Sequence, residues 1–529
     1  RYHKAFALMA RDVAMVRRHA RLDEREEGLL RARSAPIVIL DAAGEPLAPS
    51  LAPGQRTLGF MLPYTPLHHL LMAALERPIV LTSGNRSDEP QVIDNEEARE
   101  RLAGIADYWL MHDRAIVNRL DDSVARVVDG APRLLRRARG YAPAPLSLHR
   151  DFAVAPPVLA MGADLKNSFC VLQHGRAVVS QHMGDLENPA ARRDYRHNLD
   201  LYRSLFEHRP ASIAVDLHPN YASTRLGREW AAQEGVPLVE VQHHHAHIAA
   251  CMAEHGLAPD ARVLGVALDG LGLGEHDEIW GGEFLLADYR RFTRLARFAP
   301  VAMPGGNRAS VEPWRNAVAH LHQAFGWEET AARFPQLPLL RFAEPARTAP
   351  LVQMIDKGIN SPRASSCGRL FDAVAATLGI CMEHVSHEGQ AAIELEALAQ
   401  QAFSAERDAG YAVTEERRDG LVTLGWQAMW QSLLADLAAG VEAVVIAARF
   451  HHGLAAAVAA LAVRLAEENC VETVALGGGV FQNRLLLETV AQRCRSAGVR
   501  VLVPAEVPVN DGGVSLGQAV IAAARALGG

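Results

Sequence analysis

Two stretches of the chain share one pattern: an apolar strand, a small-residue turn containing aspartate, and a second strand. The first covers residues 158–172, with Asp164 and Lys166 in its turn. The second covers residues 263–284, where Asp269 and Gly270 open a glycine-rich turn. Each pattern is typical of a β-hairpin whose turn could grip phosphate through backbone N–H groups. The repetition predicts a duplicated α/β fold that holds a nucleotide between two lobes.

Three later elements fit this interpretation. Triple glycine at residues 477–479 lies between an apolar strand and a helix, where the backbone can approach a ligand and the helix N-terminus favours anions. A second turn, residues 510–517, again leads into a helix. A third helix opens near Cys367 and places Gly368 and Asp372, which are four residues apart, on one face. These elements in this order strengthen the prediction of a nucleotide site.

A histidine-rich stretch, Gln242-His243-His244-His245-Ala246-His247, follows a predicted buried strand and opens an alanine-rich helix. His243 and His247 are four apart, so on a helix they project from one face and can share a metal ion. His244 and His247 are the rival pair. An isolated pair of this kind is more often a polar helix start with locally bonded histidines. The glycine turns further along the chain favour the metal interpretation here.

Residues 1–142 alternate strands and helices, which is also an α/β pattern. A strand at residues 78–82 runs into Ser83-Gly84-Asn85, a turn that could cradle phosphate. Basic side chains that suit an anionic small ligand cluster at Arg133, Arg136, Arg137 and Arg139. Four prolines in residues 143–157 predict a linker. The expected domains are therefore residues 1–142 and residues 158–529.

Composition narrows the class of protein. The chain has 529 residues and a formal net charge of -7, which does not favour a nucleic-acid or membrane-surface protein. Its six cysteines are scattered without zinc-ribbon spacing, which indicates reduced thiols in the cytoplasm. No signal peptide or membrane-spanning run is evident in the sequence. Because the chain begins at Arg1, directly ahead of an apolar strand, we expect that an upstream part is missing.

Four motifs in residues 1–142 resemble the YrdC-like domain of the hydrogenase maturation carbamoyltransferases, the HypF family. They are Arg1-x-x-Lys4, Leu81-Thr82-Ser83-Gly84-Asn85, Asn118-Arg119-x-Asp121-Asp122-Ser123-Val124, and Arg136-Arg137-Ala138-Arg139-Gly140-Tyr141-Ala142-Pro143. In the wider YrdC group, the basic and Ser-x-Asn motifs bind ATP and help to form an acyl-adenylate. Ala5 replaces a usual proline, and the resemblance implies a domain truncated at its N-terminus. It also implies nucleotide contacts from Arg1, Lys4, Ser83, Asn85, Arg119 and Arg139.

Residues 158–529 resemble the TsaD-like domain of the same family, a two-lobed fold of the actin, heat-shock ATPase and sugar-kinase (ASKHA) group. By this resemblance the metal ligands are His243, His247 and Asp511. The implied nucleotide-binding residues are Asp269, Gly270, Gly368, Asp372, Gly478, Gly479 and Asn483. Two imidazoles and one carboxylate suit Zn²⁺ or Fe²⁺ better than Mg²⁺, which prefers oxygen ligands.

The resemblance implies an ATP-dependent carbamoyltransferase. The YrdC-like domain would use Mg²⁺ and ATP with a carbamoyl group from carbamoyl phosphate to form carbamoyl-AMP. The TsaD-like domain would pass that group to the C-terminal cysteine of a HypE-type partner, for synthesis of the cyanide ligands of a nickel–iron centre. The adenylate hydrolyses easily, so we expect both sites to face one sheltered cavity. In the family an acylphosphatase and a zinc domain lie upstream, so hydrolysis of carbamoyl phosphate itself would need the part missing here.

Three alternatives remain at this point. A small-molecule O-carbamoyltransferase has the same domains in the opposite order. A tRNA threonylcarbamoyladenosine enzyme would need an extended basic surface, which the net charge of -7 does not favour. A non-catalytic ATP-binding scaffold could share the fold. We also expect the acceptor thiol to belong to another protein, with Cys367 filling a tight turn rather than carrying the carbamoyl group.

Overall fold

A computed structural model of the chain describes residues 4–86 and 89–528. In these residues the chain forms two sheets of six strands and one of nine, with helices packed against them. The mixed architecture confirms the α/β fold class predicted from the sequence.

The N-terminal unit, residues 4–142, is built on one mixed sheet with the strand order β4-β1-β3-β2-β5-β6. Its strands are β1 (Ala7–Met9), β2 (Ile37–Asp41), β3 (Thr57–Met61), β4 (Ile79–Val80), β5 (Val124–Val128) and β6 (Ala131–Arg136). Its helices are α1 (Val13–Arg17), α2 (Glu24–Leu30), α3 (Pro66–Ala73) and α4 (Asn95–Arg101). Helix α2 begins in a capping box, because Asp23 and Glu26 each accept the other's backbone N–H. Its buried residues pack with Val38, Leu40 and Phe60 in one core.

Residues 143–157, predicted to be a linker, have structure of their own. Strand β7 (Leu146–Ser147) pairs with the next sheet, and residues Arg150–Val154 form a 3-10 helix. Phe152 of that helix is fully buried. The segment is therefore anchored to the C-terminal unit, and the boundaries at 142 and 158 stay a prediction.

The first lobe of the C-terminal unit contains a sheet with the order β12-β11-β8-β9-β10-β7. Its other strands are β8 (Val158–Ala160), β9 (Cys170–Gln173), β10 (Arg176–Val179), β11 (Ser212–Asp216) and β12 (Leu238–Val241). Its helices are α5 (Pro189–Leu205), α6 (Ala222–Glu234) and α7 (His243–Glu254). Strands β8 and β9 are antiparallel, which confirms the first predicted hairpin. Strands β11 and β12 are parallel with Asp216 opposite Val241, so both chain segments leave the sheet at one edge.

The second lobe has a nine-stranded sheet, in which β16 and β17 attach beside the path β18-β19-β15-β14-β13-β20-β21. Its strands are β13 (Val263–Leu273), β14 (Ile279–Ala287), β15 (Phe292–Phe298), β16 (Val301–Ala302), β17 (Arg363–Ala364), β18 (Thr414–Arg418), β19 (Leu421–Gly425), β20 (Thr473–Gly477) and β21 (Arg500–Leu502). Its helices are α8 (Arg308–Val311), α9 (Pro313–Phe325), α10 (Trp327–Arg333), α11 (Pro338–Phe342), α12 (Pro345–Asp356), α13 (Cys367–Thr377), α14 (Gln390–Ala399), α15 (Gln427–Ala438), α16 (Ala443–Glu468) and α17 (Arg484–Ser496). Strands β13 and β14 are antiparallel, which confirms the second predicted hairpin.

The histidine helix α7 lies at the centre of the C-terminal unit and packs against the last helix, α18 (Val514–Leu527). Residues 243–253 are all buried. A Cβ atom on Gly517 would lie 1.9 Å from the Ala246 carbonyl oxygen, so only glycine permits this approach of the two helices. The close packing fixes α7 against both lobes.

Helix α16 is long and apolar enough to cross a membrane by length and composition alone. In this structure 67% of its most apolar window is buried inside the protein. It packs with α14, α15 and α17 as a core helix of the second lobe.

Candidate active site

Two histidines and two aspartates converge at the N-terminal end of α7. The group comprises His243, His247, Asp269 and Asp511, whose ligand atoms all lie within 4.8 Å of one another. The Asp269 Oδ2 atom lies 3.4 Å from the Nε2 atom of His243 and 3.2 Å from that of His247. The Asp511 Oδ1 atom lies 3.6 and 3.7 Å from the same two atoms. The fold thus brings the three predicted ligands together and adds Asp269.

The chemistry of this group fits a transition metal. The Nε2 atoms of both histidines and the Oδ2 atom of Asp269 are buried without a hydrogen-bond partner, an arrangement that is costly unless a cation binds them. Two imidazole nitrogens with carboxylate oxygens suit Zn²⁺ or Fe²⁺. His243, His247, Asp269 and Asp511 would hold the ion. Their role as ligands stays a prediction.

His244, the alternative to His243 as a ligand, contacts Gln242 instead. The Nδ1 atom of His244 lies 2.9 Å from the Nε2 amide of Gln242, and burial holds the pKa of His244 well below its usual range. The side chain of Gln242 also caps α7 by accepting the His245 N–H at 2.8 Å. His244 is therefore not among the grouped ligand atoms.

Asp216, which the sequence interpretation did not single out, orients His243. Its Oδ2 atom lies 2.7 Å from His243 Nδ1, and Asp216 is fully buried. Burial alone would lower the pKa of His243, but Asp216, Asp269 and Asp511 outweigh it and raise that pKa. A carboxylate behind a ligating imidazole fixes its tautomer and increases its basicity. Asp216 ends β11 beside the start of α7, which explains the contact.

Asp269 also contacts the triple-glycine turn. Its Oδ1 atom accepts the N–H of Gly270 at 2.7 Å and that of Gly479 at 3.3 Å. Gly478 has a φ of +97° and sits against the Leu268 carbonyl, where a Cβ atom would lie 2.3 Å from its oxygen. Gly368 approaches Gly270 so closely that its Cβ atom would lie 2.9 Å from the Gly270 Cα. The structure brings these predicted nucleotide-binding glycines together, next to the proposed metal ligands.

The other two predicted nucleotide-binding residues are engaged within the protein. Asn483 caps α17 by accepting the Leu486 N–H at 2.9 Å, and its Nδ2 atom donates to His451 Nε2 at 3.0 Å. Asp372 is buried and pairs with Arg369 at 3.0 Å. Burial raises the pKa of Asp372 to about 6, against the opposing charge of Arg369. Contact of either residue with a nucleotide stays a prediction.

A cavity of about 1040 Å³ lies between the two units of the chain. From the N-terminal unit it is lined by Lys4, Ser83, Asn85, Arg119, Asp121 and Arg136, among others. From the C-terminal unit its walls include Lys166, Ser168, His182, Asp194, Gln482, Asn510 and Gly512. Asn510 and Gly512 flank Asp511 in sequence, so one end of the cavity lies at the turn that carries this proposed ligand, while the four grouped residues are not among its lining residues.

The first nucleotide site was also predicted to include Arg1, Arg119 and Arg139. Arg1 lies outside the described residues. Arg119 reaches the cavity, but its guanidinium already donates to Asp194 Oδ1 at 2.8 Å and to the Gln91 carbonyl at 2.6 Å. Arg139 is not among the residues that line the cavity: it stacks on Tyr64 at 3.6 Å and pairs with Asp122 at 2.8 Å. A nucleotide contact from Arg139 stays a prediction.

The basic cluster predicted to bind an anion is divided between two tasks. Arg136 and Arg137 line the cavity. The guanidinium of Arg133 donates to the Val503 and Pro504 carbonyls at 2.8 Å each, and that of Arg137 donates to the Glu506 carbonyl at 3.1 Å. The Arg133 side chain joins the two units because its donors face backbone carbonyls, and its contact with an anionic ligand stays a prediction.

The six cysteines are free thiols, and four of them are buried. Cys367 is fully buried, and burial, with the charge of Asp269, holds the pKa of its thiol well above the usual range. A high pKa leaves little thiolate, which is the nucleophilic form. This environment does not favour a covalent role for Cys367.

Comparison with known sequence families agrees with this architecture. The family described as "HypF Kae1-like domain" matches residues 153–254, and "Carbamoyltransferase, Kae1-like Domain, second subdomain" matches residues 265–518. The family described as "Telomere recombination", which includes the YrdC proteins, matches residues 1–138. The fold class of a YrdC-like domain followed by a two-lobed ASKHA-type domain is thereby confirmed.

Individual relatives cover nearly the whole chain. The carbamoyltransferase HypF of Rhodobacter capsulatus is 45% identical over 99% of this chain and 67% of its own length. HypF2 of Cupriavidus necator is 40% identical over 99% and 68%. A crystal structure of full-length HypF in the phosphate- and nucleotide-bound form superposes with a TM-score of 0.92, at 40% identity over 99% of this chain and 79% of that one. This chain thus spans about two thirds of the length of these curated relatives and belongs to the HypF family of carbamoyltransferases.

Proposed function

We propose that this chain forms carbamoyl-AMP in its N-terminal unit and transfers the carbamoyl group in its C-terminal unit, as a step of hydrogenase maturation. The observation that carries the proposal is the cavity of about 1040 Å³ that both units line. It joins the turn containing Ser83 and Asn85 to the segment that carries Asp511. A reactive adenylate formed at one wall reaches the other without crossing bulk water.

The N-terminal wall suits adenylate formation. Carbamate, released from carbamoyl phosphate, attacks the α-phosphorus of ATP through one oxygen, and pyrophosphate leaves as the α–β bond breaks. Lys4 and Arg136 provide positive charge at this wall, and Ser83 and Asn85 provide hydroxyl and amide groups. Mg²⁺ would accompany the nucleotide phosphates, as it does at most phosphoryl-transfer sites.

The C-terminal unit suits transfer. An acceptor thiolate attacks the carbonyl carbon of carbamoyl-AMP, the carbon–oxygen bond to phosphate breaks, and AMP leaves with the electron pair. A metal ion bound by His243, His247, Asp269 and Asp511 would act as a Lewis acid toward the adenylate. Asp216 holds the His243 ring in the orientation that points its Nε2 atom at the ligand cluster. The glycine turn at residues 477–479 gives the nucleotide close access to the backbone.

The acceptor in this proposal is the C-terminal cysteine of a HypE-type maturation protein in the cytoplasm, and no thiol of this chain intervenes. A flexible protein terminus is a form of substrate that can enter an interdomain cavity. The buried state of Cys367, Cys170, Cys251 and Cys494 supports direct transfer to an external thiol.

The test is the exchange of labelled pyrophosphate into ATP by the intact chain, with carbamoyl phosphate and a separate acylphosphatase to supply carbamate. We expect exchange that depends on carbamate, a reduced rate for Ser83→Ala, and an unchanged rate for His247→Ala. The His247→Ala variant should fail only to label the partner's cysteine. Exchange that is absent, or independent of carbamate, would contradict the proposal.

A further inference from the structure

We infer that Asn510 is a positioning residue through which the N-terminal unit holds the proposed metal ligand Asp511 in place. This inference rests on the proposed function only in assigning a metal ion to Asp511. The bonds that carry it are present in the metal-free protein and are measurable there.

Asn510 is 3% exposed and uses both ends of its side chain. Its Nδ2 atom donates to the Leu135 carbonyl of β6 at 3.2 Å and to Gln482 Oε1, beside the glycine turn, at 2.9 Å. Its Oδ1 atom accepts the Gly512 N–H at 3.0 Å and so caps the 3-10 turn that contains Asp511. One amide therefore joins the N-terminal unit, the glycine turn and the turn carrying the ligand.

The segment leading to Asn510 is held from two sides. At the end of α7, the Glu254 carboxylate accepts the backbone N–H groups of residues 505, 506 and 507 at 2.6, 3.0 and 3.0 Å. From the N-terminal unit, Arg133 donates to two carbonyls of the segment, and the Leu134 N–H donates to the Ala505 carbonyl at 2.9 Å. The segment thus connects the helix that carries His243 and His247 to strand β6.

The position of Asp511 in the proposed metal site depends on these contacts with the N-terminal unit. Two ligands project from α7, but Asp511 reaches them only from a turn whose position is set partly by β6. Loss of the Asn510 donors leaves the cap on Gly512 but releases the turn from Leu135 and Gln482. Outer contacts of this kind change metal affinity by about ten- to hundredfold. Docking of the N-terminal unit and assembly of the transfer site are coupled through Asn510.

The variant Asn510→Asp tests this coupling, because it keeps an oxygen for the Gly512 N–H and removes both donors. The control is Asp41→Asn, which removes a different contact between the units, the ion pair of Asp41 with Arg484 at 3.2 Å. Asn510→Ser, which retains a capping hydroxyl, is the second variant in case the aspartate disturbs folding.

Two readouts are needed, both on the full chain. In metal-free protein, we expect faster hydrogen–deuterium exchange in residues 503–513 of Asn510→Asp than of the parent or of Asp41→Asn. In titrations with Zn²⁺ alone, we expect Asn510→Asp to bind the ion about tenfold or more weakly than the parent or Asp41→Asn does. If residues 503–513 exchange hydrogen for deuterium at the parental rate in both Asn510 variants, the inference is overturned, regardless of their affinity for Zn²⁺. A parent that binds no Zn²⁺ would instead contradict the proposed metal site.

Discussion

The Oδ2 atom of Asp216 lies 2.7 Å from the Nδ1 atom of His243, and both side chains are buried. When the His243 ring is neutral and Asp216 accepts its Nδ1–H, the lone pair of Nε2 is directed at Asp269 and Asp511. The parallel pairing of β11 and β12 creates this contact, since Asp216 is level with Val241 and α7 starts two residues later. The metal hypothesis therefore depends on a residue outside the histidine motif.

Replacing this carboxylate should weaken metal binding. Asp216→Asn removes the charge and lets the His243 ring adopt the other tautomer, so we expect Zn²⁺ affinity to fall by about ten- to hundredfold. Competition titration with a chromogenic chelator measures the change. Asp419→Asn, at the exposed edge of the second lobe, is the control and should bind as the parent does. Equal affinity in Asp216→Asn would remove Asp216 from the account.

The packing of α18 on α7 predicts opposite effects of one substitution at two glycines. Gly517→Ala places a Cβ atom 1.9 Å from the Ala246 carbonyl oxygen, so we expect a loss of about 1–3 kcal/mol or more in the free energy of unfolding. Gly28→Ala, within α2 and with open space around it, should instead gain about 0.5–1 kcal/mol. Urea denaturation of both variants is the measurement. Equal effects at the two positions would show that the helices do not meet at Gly517.

The raised pKa of Asp372 predicts that the free energy of unfolding depends on pH. Burial raises its folded pKa from 3.8 to about 6, so the folded state binds this proton more tightly than the unfolded state does. Stability is therefore lost as the pH rises from about 4 to about 6 and is level above that range. Asp372→Asn cannot titrate, and its stability relative to the parent should rise over this range. The substitution also removes the partner of Arg369 at every pH, which shifts the stability by a constant amount. The test is therefore the slope of the stability difference against pH.

Denaturation of the parent and Asp372→Asn at several pH values between 4 and 7 measures that slope. A difference that is constant with pH would mean that Asp372 titrates normally, and a difference that falls as the pH rises would mean that its folded pKa is lowered; either result would contradict the prediction.

Direct transfer predicts that Cys367 is dispensable. Its thiol is fully buried with a raised pKa, so Cys367→Ala should keep both adenylate formation and labelling of the partner's cysteine. Cys494→Ala, which removes another buried thiol near the C-terminal end of α17, controls for loss of core packing. Labelled carbamoyl trapped on Cys367 of the parent, with transfer lost only in Cys367→Ala, is the contrary result.

The parts of the site that follow from local sequence were predictable, and those that depend on tertiary contact were not. The spacing of His243 and His247 predicted one helix face, and the glycine turns predicted close backbone approach. Asp269 was expected only at the nucleotide site. It lies where the pairing of β13 with β14 is interrupted, and it contacts both the glycine turn and the two proposed histidine ligands.

Two further differences between the sequence predictions and the structure also arise from tertiary contacts. The basic cluster predicted a ligand, whereas Arg133 faces carbonyls of a segment more than 300 residues away, which spacing along the chain does not reveal. Asp216 was not singled out from the sequence, because its contact with His243 depends on the register of β11 against β12. Residue type indicated the chemistry, and the pairing of strands decided the partners.

In the proposed function, one cavity carries the adenylate from the N-terminal to the C-terminal unit of the same molecule. Its most direct test mixes two full-length variants, Lys4→Ala and His247→Ala. We expect the first to be deficient in pyrophosphate exchange and the second in transfer, and each deficiency is measured separately before the variants are mixed. If the adenylate stays within the cavity, the mixture should label the partner's cysteine no faster than the two variants do separately. Recovery of about half of the parental rate in the mixture would show that carbamoyl-AMP passes through solvent, and would contradict transfer within one cavity.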